Sequence, residues 1–303
     1  MQLLYLLEKI RVPGLNECML AVTQLGEETA FLAIALIVFW CVDKKRGYFL
    51  LAVGFAGTII NQFLKLLFRV PRPWVLDENF TILEQAREAA TGYSFPSGHT
   101  QMAVGTFGAL AVTEKRKKLA IIFWVLAFLV SFSRMYIGVH TPYDVIASAV
   151  IALALVFCLR DPVMKGGVKE MKLLIAGCLV LALGLLCYVE WWDFPAEMDG
   201  HNLESGIKNA YTMLGSLTGV AIVYLAERKY VNFETKAIWW AQILKVLLGI
   251  AVVLIVKEGL RAPLEALFGV YPGRAVRYFL IVVTAGVLWP MTFRWFSKLG
   301  VKK

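Results

Sequence analysis

Two histidines and three cations stand at spacings that suit chemistry on a phosphate group. His99 lies in Gly92-Tyr-Ser-Phe-Pro96-Ser97-Gly98-His99-Thr100, where a proline and a serine precede the first turn of a helix. Proline presets such a turn, Gly98 lets the backbone approach a ligand closely, and free N–H groups at a helix start attract anions. Ser97 adds a hydroxyl, and His99 a group that holds or releases a proton near neutral pH. His140 lies in Ser133-Arg134-Met-Tyr136-Ile-Gly138-Val-His140-Thr141-Pro142-Tyr143-Asp144. Thr141 can cap a helix, Pro142 suits its first position, and Asp144 falls in its first turn. That arrangement can bring the Asp144 carboxylate to one nitrogen of His140, fixing the tautomer and leaving the other as a nucleophile. Lys65 and Arg72, in Lys65-Leu-Leu-Phe-Arg-Val-Pro-Arg72-Pro73, join Arg134 as cations suited to a phosphate. One histidine would attack phosphorus and the other would protonate the leaving oxygen. No carboxylate cluster accompanies the set, so no metal and no other cofactor is expected.

The elements that must position these residues cross a membrane. Of the 303 residues, 59% are hydrophobic and 17% charged, with a mean hydropathy of +0.67. These figures exclude a water-soluble enzyme, a disordered chain and a nucleic-acid-binding arm, so no nucleic-acid partner is expected. Apolar runs long enough for a bilayer recur at 24–42, 48–68, 97–113, 119–139, 143–159, 172–190, 206–226, 238–257 and 275–293. The fold class is therefore all-α, a polytopic membrane bundle of about nine spans. Residues 1–17 read as an amphipathic helix on the membrane surface, with no cleavable signal peptide. Of 31 basic residues, 18 fall in the loops at 43–47, 114–118, 160–172 and 227–237 and in the tail, against nine on the opposite side. By the positive-inside rule the tail is cytoplasmic, and Lys65, Arg72, His99, Arg134 and His140 gather on the extracytoplasmic face of a plasma or inner membrane.

Other features read as structural. Cys18, Cys41, Cys158, Cys178 and Cys187 show neither zinc spacing nor a disulfide framework, and are expected as small buried apolar residues. Asp199, His201 and Glu204 belong to an exposed acidic loop at 190–205 that also holds Glu197, and are not expected to bind metal. Glu27 and Glu28 read as the outer start of the first span, with a role facing the site as the lesser alternative. Thr81 and Glu84 suggest a capping box opening a short surface helix that Gly92 stops. Gly215 and Gly219 carry the spacing of closely packed helices.

Taken together, Lys65 with Arg72-Pro73, Pro96-Ser97-Gly98-His99, and Ser133-Arg134 with His140 and Asp144 resemble the three-part signature of the type 2 phosphatidic acid phosphatase superfamily. The resemblance covers residues 65–144, with a weaker similarity to the sphingosine-1-phosphate phosphatase branch. It implies His140 as a nucleophile forming a phosphohistidine, Asp144 as its partner and His99 as general acid. Lys65, Arg72, Ser97, Gly98 and Arg134 would cradle the phosphoryl oxygens. It also implies a six-span core, placed here at 1–190, with 191–303 as a C-terminal membrane extension of three spans. The expected activity is metal-independent hydrolysis of a lipid phosphomonoester or pyrophosphate. Undecaprenyl pyrophosphate, phosphatidate, phosphatidylglycerophosphate and sphingoid phosphates all fit an anionic head on an apolar tail, with membrane lipids as surroundings. A phosphotransferase would share the first step. An anion or lipid transporter is disfavoured because the polar residues gather at one membrane end instead of the midplane.

Overall fold

A computed structural model describes residues 1–87, 90–195 and 198–299. Glu197 of the acidic loop, and Lys302 and Lys303 of the basic tail, lie outside the described residues. Among those described, every regular element is helical. Seven helical stretches are long and apolar enough to cross a membrane: Lys44–Leu76, Lys117–Tyr136, Pro142–Met164, Val168–Trp191, Gly200–Val231, Trp239–Phe268 and Val270–Lys298. Two expected spans take another form. The run at 24–42 belongs to a bent pair, Pro13–Gly26 and Glu28–Val42, that meets at 57°. The run at 97–113 is a helix of 16 residues, about 24 Å long at the helical rise and so shorter than a bilayer core.

Contacts divide the chain into two units that alternate along the sequence. The first comprises Met1–Leu32, Phe49–Asp161 and Asp193–Gly206. It contains α1 (Gln2–Lys9), α2 (Pro13–Thr23) and the start of α3 (Glu28–Ile37). Most of α4 (Lys44–Phe68), the single turn α5 (Pro73–Leu76), α6 (Gly98–Thr113), α7 (Lys117–Tyr136) and most of α8 (Pro142–Met164) follow. Residues 1–17 are two helices rather than one, broken at 10–12, where Val12 turns extended ahead of Pro13. They also pack into the unit. Leu4 and Leu7 are buried, and the Tyr136 hydroxyl donates to Asn16.

Local chemistry explains how the unit ends its helices where the functional residues sit. α7 stops at Gly138, whose φ of +90° turns the chain sharply toward His140. A Cβ there would lie 2.8 Å from Arg11 Nη2, because Arg11 fills the notch and donates to the carbonyls of Tyr136 and Thr81. Thr141 and Asp144 then cap α8 reciprocally: Thr141 N donates to Asp144 Oδ2 at 2.7 Å, and Asp144 N to Thr141 Oγ1 at 3.3 Å. Ser97 caps α6 by accepting from Thr100 N at 3.4 Å. The segment at 77–87 is a packed connector, with Phe80, Ile82 and Ala86 buried. The expected capping box does not form there. Thr81 bonds Glu8, Glu84 pairs with Arg87 at 2.7 Å, and only Glu84–Ala86 make a turn. Glu88 and Ala89, within that expected surface helix, lie outside the described residues.

The second unit comprises Ala33–Tyr48, Pro162–Trp192 and Ile207–Lys303. Its main helices are α9 (Val168–Trp191), α10 (Gly200–Ala226), α11 (Trp239–Gly259), α12 (Arg261–Phe268), α13 (Val270–Val283) and α14 (Phe293–Lys298). Gly215 and Gly219 do pack closely: Cβ atoms there would lie 2.0 Å from Ala275 O and 2.8 Å from Val282 Cβ, both on α13. Buried Lys245 is held by the carbonyls of Trp40 and Thr235. The cysteines depart from expectation. All are free, but only Cys178 is buried, while Cys18 and Cys158 lie on the exterior. An apolar residue on a membrane helix can face lipid as readily as protein, so its character alone does not predict burial.

Candidate active site

All the residues singled out for phosphate chemistry lie in the first unit, and helix ends supply them. Lys65 sits in the last turn of α4, Arg72 directly precedes α5, Ser97 and Gly98 open α6, Arg134 ends α7, and Asp144 is in the first turn of α8. Lys65, Arg72 and Arg134 are buried, as are His140 and Asp144.

The three cations are held by neutral oxygens. Arg72 donates to the carbonyls of Thr91 at 2.7 Å, Gly92 at 3.0 Å and Val139 at 2.9 Å. Its Nη1 also lies 3.0 Å from His140 Nε2. Lys65 bonds the Tyr93 carbonyl, and Arg134 Nη1 donates to Thr23 Oγ1 at 2.7 Å. Arg134 Nε is buried with no partner, a donor awaiting an oxygen. Burying cations without paired anions costs several kcal/mol per ion even after relaxation, which marks the cluster as functional. Gly98 faces open space, with Asn61 Oδ1 at 3.8 Å the nearest atom to a Cβ built there. No crowding requires glycine at that position, in keeping with a backbone that a ligand approaches.

The His140 surroundings differ from the expected direct pair. His140 Nδ1 is 3.6 Å from Asp144 Oδ2, too long for a good hydrogen bond. Ser94 stands between them: its hydroxyl donates to Asp144 Oδ2 at 2.6 Å and lies 3.4 Å from His140 Nδ1. An arginine can only donate, so Arg72 meets the Nε2 lone pair and leaves the ring proton on Nδ1, toward Ser94 and Asp144. Burial, with Arg72, Arg134 and Lys65 alongside, holds the imidazole pKa well below its ordinary value. The ring is thus neutral, as a nucleophile must be.

Glu27 joins the site as well, the lesser of the two readings its place at the start of a span allowed. His99 Nε2 lies 2.8 Å from Glu27 Oε1. Sequence reasoning passed over Ser94, although it lies within the Gly92–Thr100 motif, and Thr23. A signal for Glu27 did exist: a pair of acids directly after a glycine at the start of an apolar run.

Beside Arg72 is a cavity of about 470 Å³, walled also by Trp74, Arg87, Asp199, His201 and Asn202. Arg72 and Arg87 both lie over the Trp74 ring, at 5.9 and 5.3 Å. Asp199 Oδ1 accepts from His201 N at 2.9 Å and so braces the entry to α10. Among the described residues no group of three or more His, Cys, Asp and Glu side chains could hold a metal ion.

These features suit a membrane phosphatase, and the chain is similar to known proteins of that class. Residues 45–164 match the PAP2 superfamily, and residues 211–302 match the PAP2 superfamily phosphatase transmembrane extension. The chain is 30% identical over 164 residues to phosphatidylglycerophosphatase B of Bacillus subtilis (strain 168), covering 50% of this chain and 76% of that protein. It is 32% identical over 129 residues to undecaprenyl-diphosphatase BcrC of the same organism, covering 41% of this chain and 64% of that protein, just under two thirds. A third relative, the "Probable sphingosine-1-phosphate phosphatase" of Dictyostelium discoideum, is 34% identical over 145 residues, covering 43% and 34%. The chain belongs to the PAP2 superfamily and is an integral-membrane phosphatase.

Proposed function

We propose that the protein hydrolyses a lipid phosphomonoester or pyrophosphate through a phosphohistidine at His140, without a metal. The observation that carries this reading is the set of three buried cations bonded to neutral oxygens, one of which, Arg72, meets the Nε2 lone pair of His140. The phosphoryl oxygens take the donors of Lys65, Arg72 and Arg134, together with the Ser97 hydroxyl and the backbone at Gly98. Arg72 transfers its Nη1 bond from His140 to a phosphoryl oxygen, which frees Nε2 to attack. The bond from phosphorus to the leaving oxygen breaks as His99 protonates that oxygen. Water then attacks phosphorus, His99 accepts its proton, and His140 is released with its Nδ1–H still directed at Ser94 and Asp144. The relatives act, by name, on undecaprenyl diphosphate, phosphatidylglycerophosphate and sphingosine-1-phosphate. Their shared chemistry, an anionic head on an apolar tail, is the substrate class assigned here. The cavity beside Arg72 offers space for the rest of the headgroup. Residues 1–190 form the catalytic core in this reading, and 191–303 the extension.

A phosphate-release panel over those lipids and phosphatidate, with purified protein, tests the assignment. Release from at least one lipid, undiminished in EDTA, is expected. A strict magnesium requirement that survives controls for lipid dispersal would overturn the mechanism.

The basic-residue distribution supports an extracytoplasmic site with a cytoplasmic C-terminus. Cysteine labelling checks it after Cys18 and Cys158, both exterior, are replaced. A cysteine at exposed Asn79 should react with an impermeant maleimide in intact cells, and one at exposed Lys169 only after permeabilisation. The reverse pattern would invert the topology and leave the chemistry standing.

A further inference from the structure

We propose that Glu27 is a positioning residue that orients His99 and stabilises its protonated form, so that the N-terminal helix pair completes the active site. The inference rests on the assignment of His99 as the acid. Residues 1–44 lie outside the stretch matched to the PAP2 superfamily, yet two independent contacts bring them to the site. Glu27 Oε1 meets His99 Nε2 at 2.8 Å, and Thr23 Oγ1 accepts from Arg134 Nη1 at 2.7 Å. One turn therefore holds both a cation of the phosphate site and the acid.

The backbone is built for this contact. Glu27 lies at the 57° bend between the two helices, in extended conformation, after the short turn Gln24–Gly26. Its N–H donates to Gln24 O at 3.1 Å and its carbonyl accepts from Phe31 N at 3.0 Å, so the residue is fixed on both sides. Gly26 allows the approach. A Cβ there would lie 3.0 Å from His99 O, 3.1 Å from His99 Cβ and 2.8 Å from Val130 Cγ1.

The surroundings of His99 explain why a carboxylate is needed. Burial opposes a positive charge on the ring most strongly, Arg134 from α7 and Arg72 ahead of α5 add to it, and Glu27 acts against them. With Nε2–H directed at Glu27, Nδ1 delivers the proton to the leaving oxygen and later takes one from the attacking water. Glu27 itself neither gains nor loses a proton.

Glu27→Gln keeps an oxygen that can accept from Nε2–H and removes only the charge. The full-length protein in detergent would be assayed with a lipid phosphate, whose alkoxide needs a proton to leave, and with a nitrophenyl phosphate, whose phenolate does not. Glu27→Gln should lower turnover of the lipid on the order of 10²-fold and that of the nitrophenyl ester much less. The descending limb of its kcat/KM profile should move about one unit or more to lower pH, because the acid loses its proton sooner. Glu27→Asp should recover part of both effects, with thermal melting as the folding control. Equal losses on the two substrates with an unmoved pH limb would reduce Glu27 to a structural residue and overturn the inference. An inactive His99→Gln beside a fully active Glu27→Gln would overturn it too, while sparing the mechanism. A fully active His99→Gln would overturn both.

Discussion

Replacing His140 with alanine should lower turnover by about 10⁴-fold or more, the scale on which loss of a covalent nucleophile is felt. The neighbouring groups cannot take over. Ser94 is committed to Asp144 at 2.6 Å, and the surrounding Lys65, Arg72 and Arg134 are cations bonded to oxygens. The variant should still fold, since His140 lends few contacts beyond Arg72 and Ser94. In the native protein, acid-independent trapping is the complementary measurement. Rapid denaturation during turnover of a radiolabelled substrate should leave phosphate on the chain through an acid-labile, alkali-stable bond, which His140→Ala abolishes. The pH dependence carries a sign as well. Because the His140 pKa is held well below the usual value of about 6.5, its neutral form persists as pH falls through that range. Activity should therefore not decline there on account of the nucleophile. Substantial turnover by His140→Ala, or labelled phosphate on that variant, would overturn the assignment.

Arg72→Lys should cost about 10²–10³-fold in kcat, the loss expected when a preorganised donor to a developing oxyanion is removed. The substitution keeps the charge, so its effect isolates geometry. The guanidinium reaches Thr91 O, Gly92 O, Val139 O and His140 Nε2 together. A lysine ammonium is a point donor and cannot span them. Two consequences should appear at once. The carbonyls of the 91–92 segment lose buried partners, lowering stability by about 1–3 kcal/mol, visible in thermal melting. The site loses the donor that passes from His140 to the substrate, visible in kcat at saturating lipid. A variant that keeps more than a tenth of wild-type kcat would show that charge alone suffices at this position.

Much of the site was legible because its signals are local. A helix start is written in residues within one turn of each other. Thr141-Pro142 ahead of Asp144 was readable as a cap and proves to be one, while Ser97, read as a hydroxyl for phosphate at a helix start, also caps α6. Apolar runs are local too, so the helical stretches and the polar clusters at their ends followed from composition and spacing. The close packing at Gly215 and Gly219 was legible for the same reason, since a small residue four positions from another makes a flat face.

What the sequence by itself determined, then, is an all-helical membrane protein with cations, serine, glycine and two histidines at helix ends that suit phosphate. What only the tertiary structure decided is which groups complete each histidine. Ser94 stands between His140 and Asp144, 46 and 50 residues along the chain from them, and Glu27 meets His99 from 72 residues away. Tertiary packing also decided that 13–42 is a bent pair and that residues 1–23 brace the site. The physical reason is range. Propensity, capping and hydropathy act over a few residues, whereas a hydrogen bond between distant segments exists only once packing has set the separation of their backbones.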